Sequence, residues 1–257
     1  MTKTNQQKVK DFLINNGVII VMFILVIYTG FTSDNFFTKN NFMNILMNMS
    51  SRLVIALGIA GCVITAGCDL SAGRMIGFGA CISGMLLQRM DYSGKFFPDM
   101  QPLNVFVVAL IAMLVCAAFG TVTGFFIAYL NVPPFIATLA MMEIVYGIGL
   151  IVTNATPLGG YVEQYTNVSN GKFLGINYLI WIAIIVAAIT WFIFNMTRHG
   201  KYMYAIGGNP QAAEVAGVPV KATLILIYMK AAAMYGLAGF MLGAKAGGAS
   251  VNLGYGY

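Results

Sequence analysis

Few side chains in this sequence can do chemistry, and they are spread singly through apolar surroundings. Asp69 stands in Gly67-Cys68-Asp69-Leu70-Ser71-Ala72-Gly73-Arg74, between apolar stretches at 53–66 and 75–87. Each stretch is short for a membrane span, which needs about 20 apolar residues. Half-length helices around a Gly-rich polar break are the pattern of discontinuous helices that line a solute path. Irregular backbone at membrane depth survives only where protein or a water-filled cavity satisfies it. A tight turn at the membrane surface, with Asp69 and Arg74 solvated, is the other reading of the same residues. On the first reading, Asp69, Leu70, Ser71 and Gly73 face the path.

Glu143 and Lys230 are each embedded in an apolar segment. An unpaired charge there costs at least about 2–3 kcal/mol. Both lie at similar depth when counted from the same end of their segments, so an intramembrane ion pair is one way to offset that cost. The alternatives are a Lys230 that snorkels to the interface and a Glu143 that is protonated or faces a cavity. A carboxylate in a span, Asp69 or Glu143, also suits proton coupling in a secondary transporter.

A third cluster is the polar stretch from Gly207 and Gly208 through Asn209-Pro210-Gln211-Ala212-Ala213-Glu214 to Gly217. Asn209 is a good N-cap, and proline is favoured at the first helical position. A short helix is expected over 210–216, stopping at Gly217. It presents small alanine faces and one carboxylate, as a docking helix for a cytoplasmic partner would; a solvated connector is the alternative.

Other chemistries find no support. His199 is the single histidine, and Cys62, Cys68, Cys81 and Cys116 form no CxxC pair, so neither a metal site nor a disulfide framework is expected. No Ser–His or paired-Asp arrangement suggests an intramembrane enzyme. The fourteen Lys and Arg residues are scattered, Lys3, Lys8 and Lys10 being the densest group, so no basic stripe exists for nucleic acid. No G-x-x-x-x-G-K-[ST] sequence is present to cradle nucleotide phosphates, and no cofactor is expected.

The elements that carry these residues follow from composition. Hydrophobic residues make up 59% and charged residues 9% of the 257 positions, against roughly 25% charged in a soluble domain. Mean hydropathy is +0.81. The apolar surplus must face lipid, so the chain is an all-α, polytopic membrane protein forming one transmembrane domain over 1–257. Seven apolar segments are expected, at 12–31, 53–66, 75–87, 103–130, 135–152, 177–196 and 223–242. The first is read as a retained helix, because Thr32-Ser33-Asp34-Asn35 offers no small-residue cleavage site. Asn131-Val132-Pro133-Pro134 forces a break between the fourth and fifth. The cations before the first segment favour an N-terminus inside, which also places 197–222 inside. Gly73/Gly77, Gly120/Gly124 and Gly239/Gly243/Gly247 have the small-xxx-small spacing that lets helices approach closely, within the chain or across a dimer.

Several stretches also carry a resemblance. They are Ile55-Ala56-Leu57-Gly58-Ile59-Ala60-Gly61, Asp69-Leu70-Ser71-Ala72-Gly73-Arg74, Val132-Pro133-Pro134-Phe135-Ile136-Ala137-Thr138-Leu139, Ala205-Ile206-Gly207-Gly208-Asn209-Pro210 with Ala212-Ala213-Glu214, and Asn252-Leu253-Gly254. Through them the chain resembles the permease subunits of bacterial ABC monosaccharide importers, the ribose/galactose branch, along essentially its whole length. The resemblance implies a multi-pass inner-membrane subunit that is not itself catalytic. It implies a second permease copy, a cytoplasmic ATP-binding subunit and a periplasmic sugar-binding protein as partners. It implies that Gly207, Gly208, Asn209, Ala212, Ala213, Glu214 and Gly217 belong to the segment coupled to the ATPase. Pro133 and Pro134 join Asp69 as path candidates. A passive sugar channel and an ion-coupled sugar transporter are the alternatives. Family members run on past Asn-Leu-Gly through further helices, so the chain is expected to be short at its C-terminal end, and they are apolar where Glu143 and Lys230 stand.

Overall fold

A computed structural model describes residues 16–33 and 35–257. The Lys3/Lys8/Lys10 group, Asp34 and the start of the first apolar segment lie outside the described residues. The described chain divides into a small unit up to Leu46 and a large one from Met47 to Tyr257. In the small unit, α1 (Gly17–Thr32) is apolar and presents no buried residue. Past it, Asn41 Nδ2 donates to the Phe36 carbonyl over 2.8 Å, which steadies the turn.

The large unit takes in most of α2 (Lys39–Ile64), then α3 (Ala72–Leu86), α4 (Val105–Tyr129), α5 (Pro134–Thr153) and α6 (Glu163–Asn170). A two-residue hairpin, β1 (Lys172–Phe173) with β2 (Ile176–Asn177), leads into α7 (Tyr178–Met196). Two short helices, α8 (Arg198–Gly208) and α9 (Pro210–Val215), precede the long α10 (Val220–Ala246). Among the described residues, five helices are long and apolar enough to cross a membrane: α2, α4, α5, α7 and α10. Two more apolar helices, α1 and α3, are shorter.

The second element departs most from expectation. It is one helix of 26 residues, not a half-length segment beginning at Leu53. Its first half, Asn-rich and therefore polar by hydropathy, contains no Gly or Pro before Gly58. One of its polar groups is matched from across the fold: Asn48 accepts from Lys245 of α10. The polar break therefore joins one full-length helix to one of 15 residues.

Helix α10 is the hub, packing along α4, α3 and α6. Its second half is buried nearly all round, from Ala238 to Ala244 without interruption, as expected of a helix without a polar face. The small-residue faces are consumed by this packing. A Cβ added to Gly124 would meet Ile225, one on Gly236 would meet the Ala112 carbonyl, and one on Gly239 would meet the Ile76 carbonyl. Gly73 and Gly77 take the returning segment after α10, with Gly254 and Val251 carbonyls against them. Apart from Gly247, which caps α10 with open space around it, these spacings serve packing within the chain, where close backbone approach gains dispersion contact that lipid cannot supply.

Candidate functional site

The break after α2 is closed by backbone bonds that its sequence does not advertise. Ala66 N–H donates to Val63 and Gly67 N–H to the Cys62 carbonyl, over 3.0 and 2.8 Å. This is the Schellman arrangement, and it puts Ala66 at φ +57°, a left-handed position that usually takes glycine. A Cβ on Gly67 would sit 2.6 Å from the Tyr228 hydroxyl and 3.8 Å from Pro134. The structure thus brings the Pro133-Pro134 turn to the break. Pro134 is the first residue of α5, with Pro133 as its cap.

Asp69 is half-buried and fully engaged. Its Oδ1 accepts from the Ser71 amide at 3.0 Å and the Ser71 hydroxyl at 2.6 Å, and its Oδ2 accepts from the Tyr235 hydroxyl at 3.1 Å. Tyr228 donates to the Cys68 carbonyl over 3.3 Å. These tyrosines lie roughly 12 and 22 Å along α10 from Val220 at about 1.5 Å per residue. The break therefore runs beside the middle of α10, not beyond its end. The carboxylate also occupies the N-terminal end of α3, where a helix favours negative charge. Leu70 is exposed beside it, and Gly73 packs on Gly254.

One turn into α3, Arg74 gathers a second cluster. Its Nη1 donates to Asn252 Oδ1 over 2.5 Å, and its guanidinium lies 3.9 Å from the Tyr146 ring centre and 4.5 Å from that of Tyr255. Its Nε is buried without a partner. Asn252 and Tyr255 belong to the turns that follow α10, so Arg74 holds that segment against α3. Sequence reasoning missed Tyr146, Tyr228, Tyr235 and Tyr255. A signal existed for two of them: Tyr228 and Tyr235 are spaced by two helical turns in an apolar segment, and a buried tyrosine hydroxyl needs a partner.

At the other cluster, Asn209 Oδ1 accepts from Ala212 N–H over 3.0 Å, capping α9, and Pro210 is its first residue. Gly217, at φ +83°, ends the turn with Val218 N–H donating to Ala213. The polar stretch upstream is helical as well. Gly207 and Gly208 close α8, and a Cβ on Gly207 would collide with the Ile64 carbonyl, so this glycine serves the crossing of α8 over α2. Ala213 is only 4% exposed, whereas Val215 is 91% exposed. Every other residue of α9, Pro210, Gln211, Ala212, Glu214 and Val215, is exposed, with Gly217 beyond them.

The candidate Glu143–Lys230 pair is not formed: among the described residues the one ion pair within 4.0 Å is Arg89–Asp91, at 3.6 Å. Glu143 is exposed on α5. Lys230 is half-buried and lines a cavity of about 20 Å³ with Gly58, Gly61, Thr190 and Met203, room for roughly one water. Glu143 is on the outside of α5 while Lys230 sits among residues of α2, α7 and α8, so the two charges do not meet. Lys230 instead stands near His199. Burial first, and Lys230 second, push the His199 imidazole down to about 4, so it is neutral at pH 7.

No group of three or more His, Cys, Asp or Glu able to hold a metal exists among the described residues. The arrangement is one of positioned hydroxyls, aromatic faces and a guanidinium, paired with one another across the break.

A family model described as "Branched-chain amino acid transport system / permease component" matches residues 41–257. The galactose/methyl galactoside import permease protein of Escherichia coli is 38% identical over 100% of this chain and 79% of its own length. That of Haemophilus influenzae is 40% identical with the same coverage. The ribose import permease protein of Escherichia coli is 31% identical over 96% of this chain and 75% of its own length. No solved structure matches the chain significantly.

Proposed function

The chain belongs to that permease-component family, and on this premise we propose that it is the membrane subunit of an ATP-driven importer for a galactose-like monosaccharide. It is a multi-pass protein of the bacterial inner membrane. The observation that carries the sugar assignment is the 38–40% identity, along the whole chain, to galactose/methyl galactoside permeases, against 31% to a ribose permease.

The residues support the reading. Asp69, Leu70, Ser71 and Gly73, with Pro133 and Pro134 beside the break, form the polar element of the path. Asp69 is held by three donors, which suits a fixed anchor. Arg74, flanked by tyrosine faces, offers what a polyhydroxylated ring uses: aromatic surface and fixed donors. The α8–α9 region, from Gly207, Gly208 and Asn209 through Ala212, Ala213 and Glu214 to Gly217, is the coupling segment. A helix this short is marginal alone in water and gains from docking in a groove. The energy source is a separate cytoplasmic ATP-binding subunit, with delivery by a periplasmic sugar-binding protein and a second permease copy completing the assembly.

The test is uptake of labelled galactose, methyl galactoside and ribose by cells lacking their own permeases, with the neighbouring ATPase and binding protein supplied. Uptake of galactose or its methyl glycoside that is lost with an inactive ATPase supports the proposal. Ribose as the preferred solute, or uptake indifferent to the ATPase, refutes it.

A further inference from the structure

The hairpin between α6 and α7 is built at a cost that its position in the fold does not require. Lys172 pairs with Asn177 and Phe173 with Ile176, antiparallel. The two tip residues, Leu174 at φ +52° and Gly175 at φ +79°, make the left-handed turn that suits tight hairpins. Glycine, asparagine or aspartate normally takes the first of these positions, because a larger side chain clashes with its own backbone. Here it is leucine, and it is 80% exposed. A strained, outward-pointing apolar side chain persists where something outside the fold receives it.

The neighbours say what receives it. Phe173 and Tyr178 are exposed. Trp181, in the first turn of the membrane-crossing α7, donates from its indole to the Phe173 carbonyl over 3.2 Å, with the ring centres 6.2 Å apart edge to face. The hairpin therefore folds down over the first turn of a span, level with a tryptophan, and its apolar surface continues the lipid-facing surface of α7. Residues 164–181 contain one cation, Lys172, and no acid. Asn177 fixes the hairpin from behind by capping Leu179 N–H and donating to the Ser169 carbonyl. Aromatic rings at the end of a span, a pair of projecting apolar side chains and a lone lysine match the headgroup region of a bilayer.

We propose that the 172–177 hairpin is an interfacial lipid anchor, with Phe173 and Leu174 set at the headgroup–acyl boundary and Lys172 on lipid phosphate. A protein partner for the same tip is the competing occupant, and the test separates them by omitting every other protein. Single cysteines at Phe173 and Leu174 are placed in a Cys68→Ser background, the other three cysteines being buried. They are labelled with an environment-sensitive fluorophore in vesicles of phosphatidylethanolamine and phosphatidylglycerol, with a label at the exposed Asp99 as reference. The expected result is quenching by lipids brominated near the headgroup and loss of quenching by aqueous iodide, relative to Asp99. Labels at 173 and 174 that iodide reaches as readily as at Asp99, or that neither quencher reaches, overturn the proposal. A label-free check uses Leu174→Asn, which suits the left-handed turn and so keeps the hairpin. In a Trp191→Phe chain it shifts Trp181 emission to the red; unchanged emission counts against the anchor.

Discussion

Tyr235 donates its hydroxyl to Asp69 Oδ2 over 3.1 Å, joining the central helix to the polar break across 166 positions of sequence. Tyr235→Phe is expected to cost about 1–3 kcal/mol of stability, because it leaves a half-buried acceptor short of a partner. Thermal unfolding in detergent reads this out. Asp69→Asn should couple with it, the double variant losing less than the sum of the singles. Strict additivity would show that the two residues do not act as a unit.

The turn that follows α2 makes an opposed pair of predictions. Ala66, at φ +57°, sits where glycine is favoured. Ala66→Gly should therefore stabilise by up to about 1 kcal/mol, the lower end of the left-handed penalty. Gly67→Ala should destabilise by about 1–3 kcal/mol, as overpacking does, because its Cβ must displace the Tyr228 hydroxyl from 2.6 Å. Equal Tm values for the two variants would contradict both assignments.

What was legible in the sequence is what local chemistry decides. The Asn209-Pro210 start and Gly217 stop of α9, and the Pro133-Pro134 break, came out within a residue because caps and prolines act on their immediate neighbours. The first half of α2 was not legible, since its asparagines look polar until Lys245 is known to stand opposite Asn48. The cluster around Arg74 was not legible for the same reason: its partners lie on α5 and in the turns after α10, and only tertiary packing brings them together. The Glu143–Lys230 pairing failed because depth was inferred and helix facing was not.

His199 supplies a pH prediction. Its imidazole is held down to about 4, mainly by burial and then by Lys230, below the ordinary 6.5. Between those values the unfolded chain binds more protons than the folded one, so stability rises with pH across that window. The contribution is complete above about pH 6.5 and is lost as pH falls toward 4. Denaturant midpoints measured from pH 7.5 to 4.5 should fall, and His199→Gln should flatten that dependence. An unchanged slope in the variant would assign the effect to another group.

The exposed face of α9 separates folding from coupling. Ala213 is buried, so Ala213→Trp is expected to destabilise the region and is a poor probe of docking. Val215 is 91% exposed, so Val215→Asp should change stability by less than about 0.5 kcal/mol, the usual range for surface positions. It should nevertheless reduce co-purification of the ATPase and lower sugar uptake. Glu214→Ala should do less, an exposed charge being typically worth under about 1 kcal/mol. Full ATPase retention in Val215→Asp would leave α9 a connector.

Arg74 is either a staple or a path residue, and one substitution distinguishes the two. Its guanidinium lies against the rings of Tyr146 and Tyr255 and bonds Asn252, while its Nε is buried and unpaired. Lysine keeps the charge but loses the planar stack and the fork of donors. Arg74→Lys is expected to cost about 1–2 kcal/mol of stability, the upper range for partly desolvated cation–π contacts. If the guanidinium also meets the sugar, uptake per folded molecule falls, with a raised KM for transport. Tyr255→Leu removes one ring while leaving Arg74 in place, so it should lower Tm with a smaller effect on KM. Wild-type KM and rate in folded Arg74→Lys protein would make Arg74 a staple for the turns after α10 and remove it from the path.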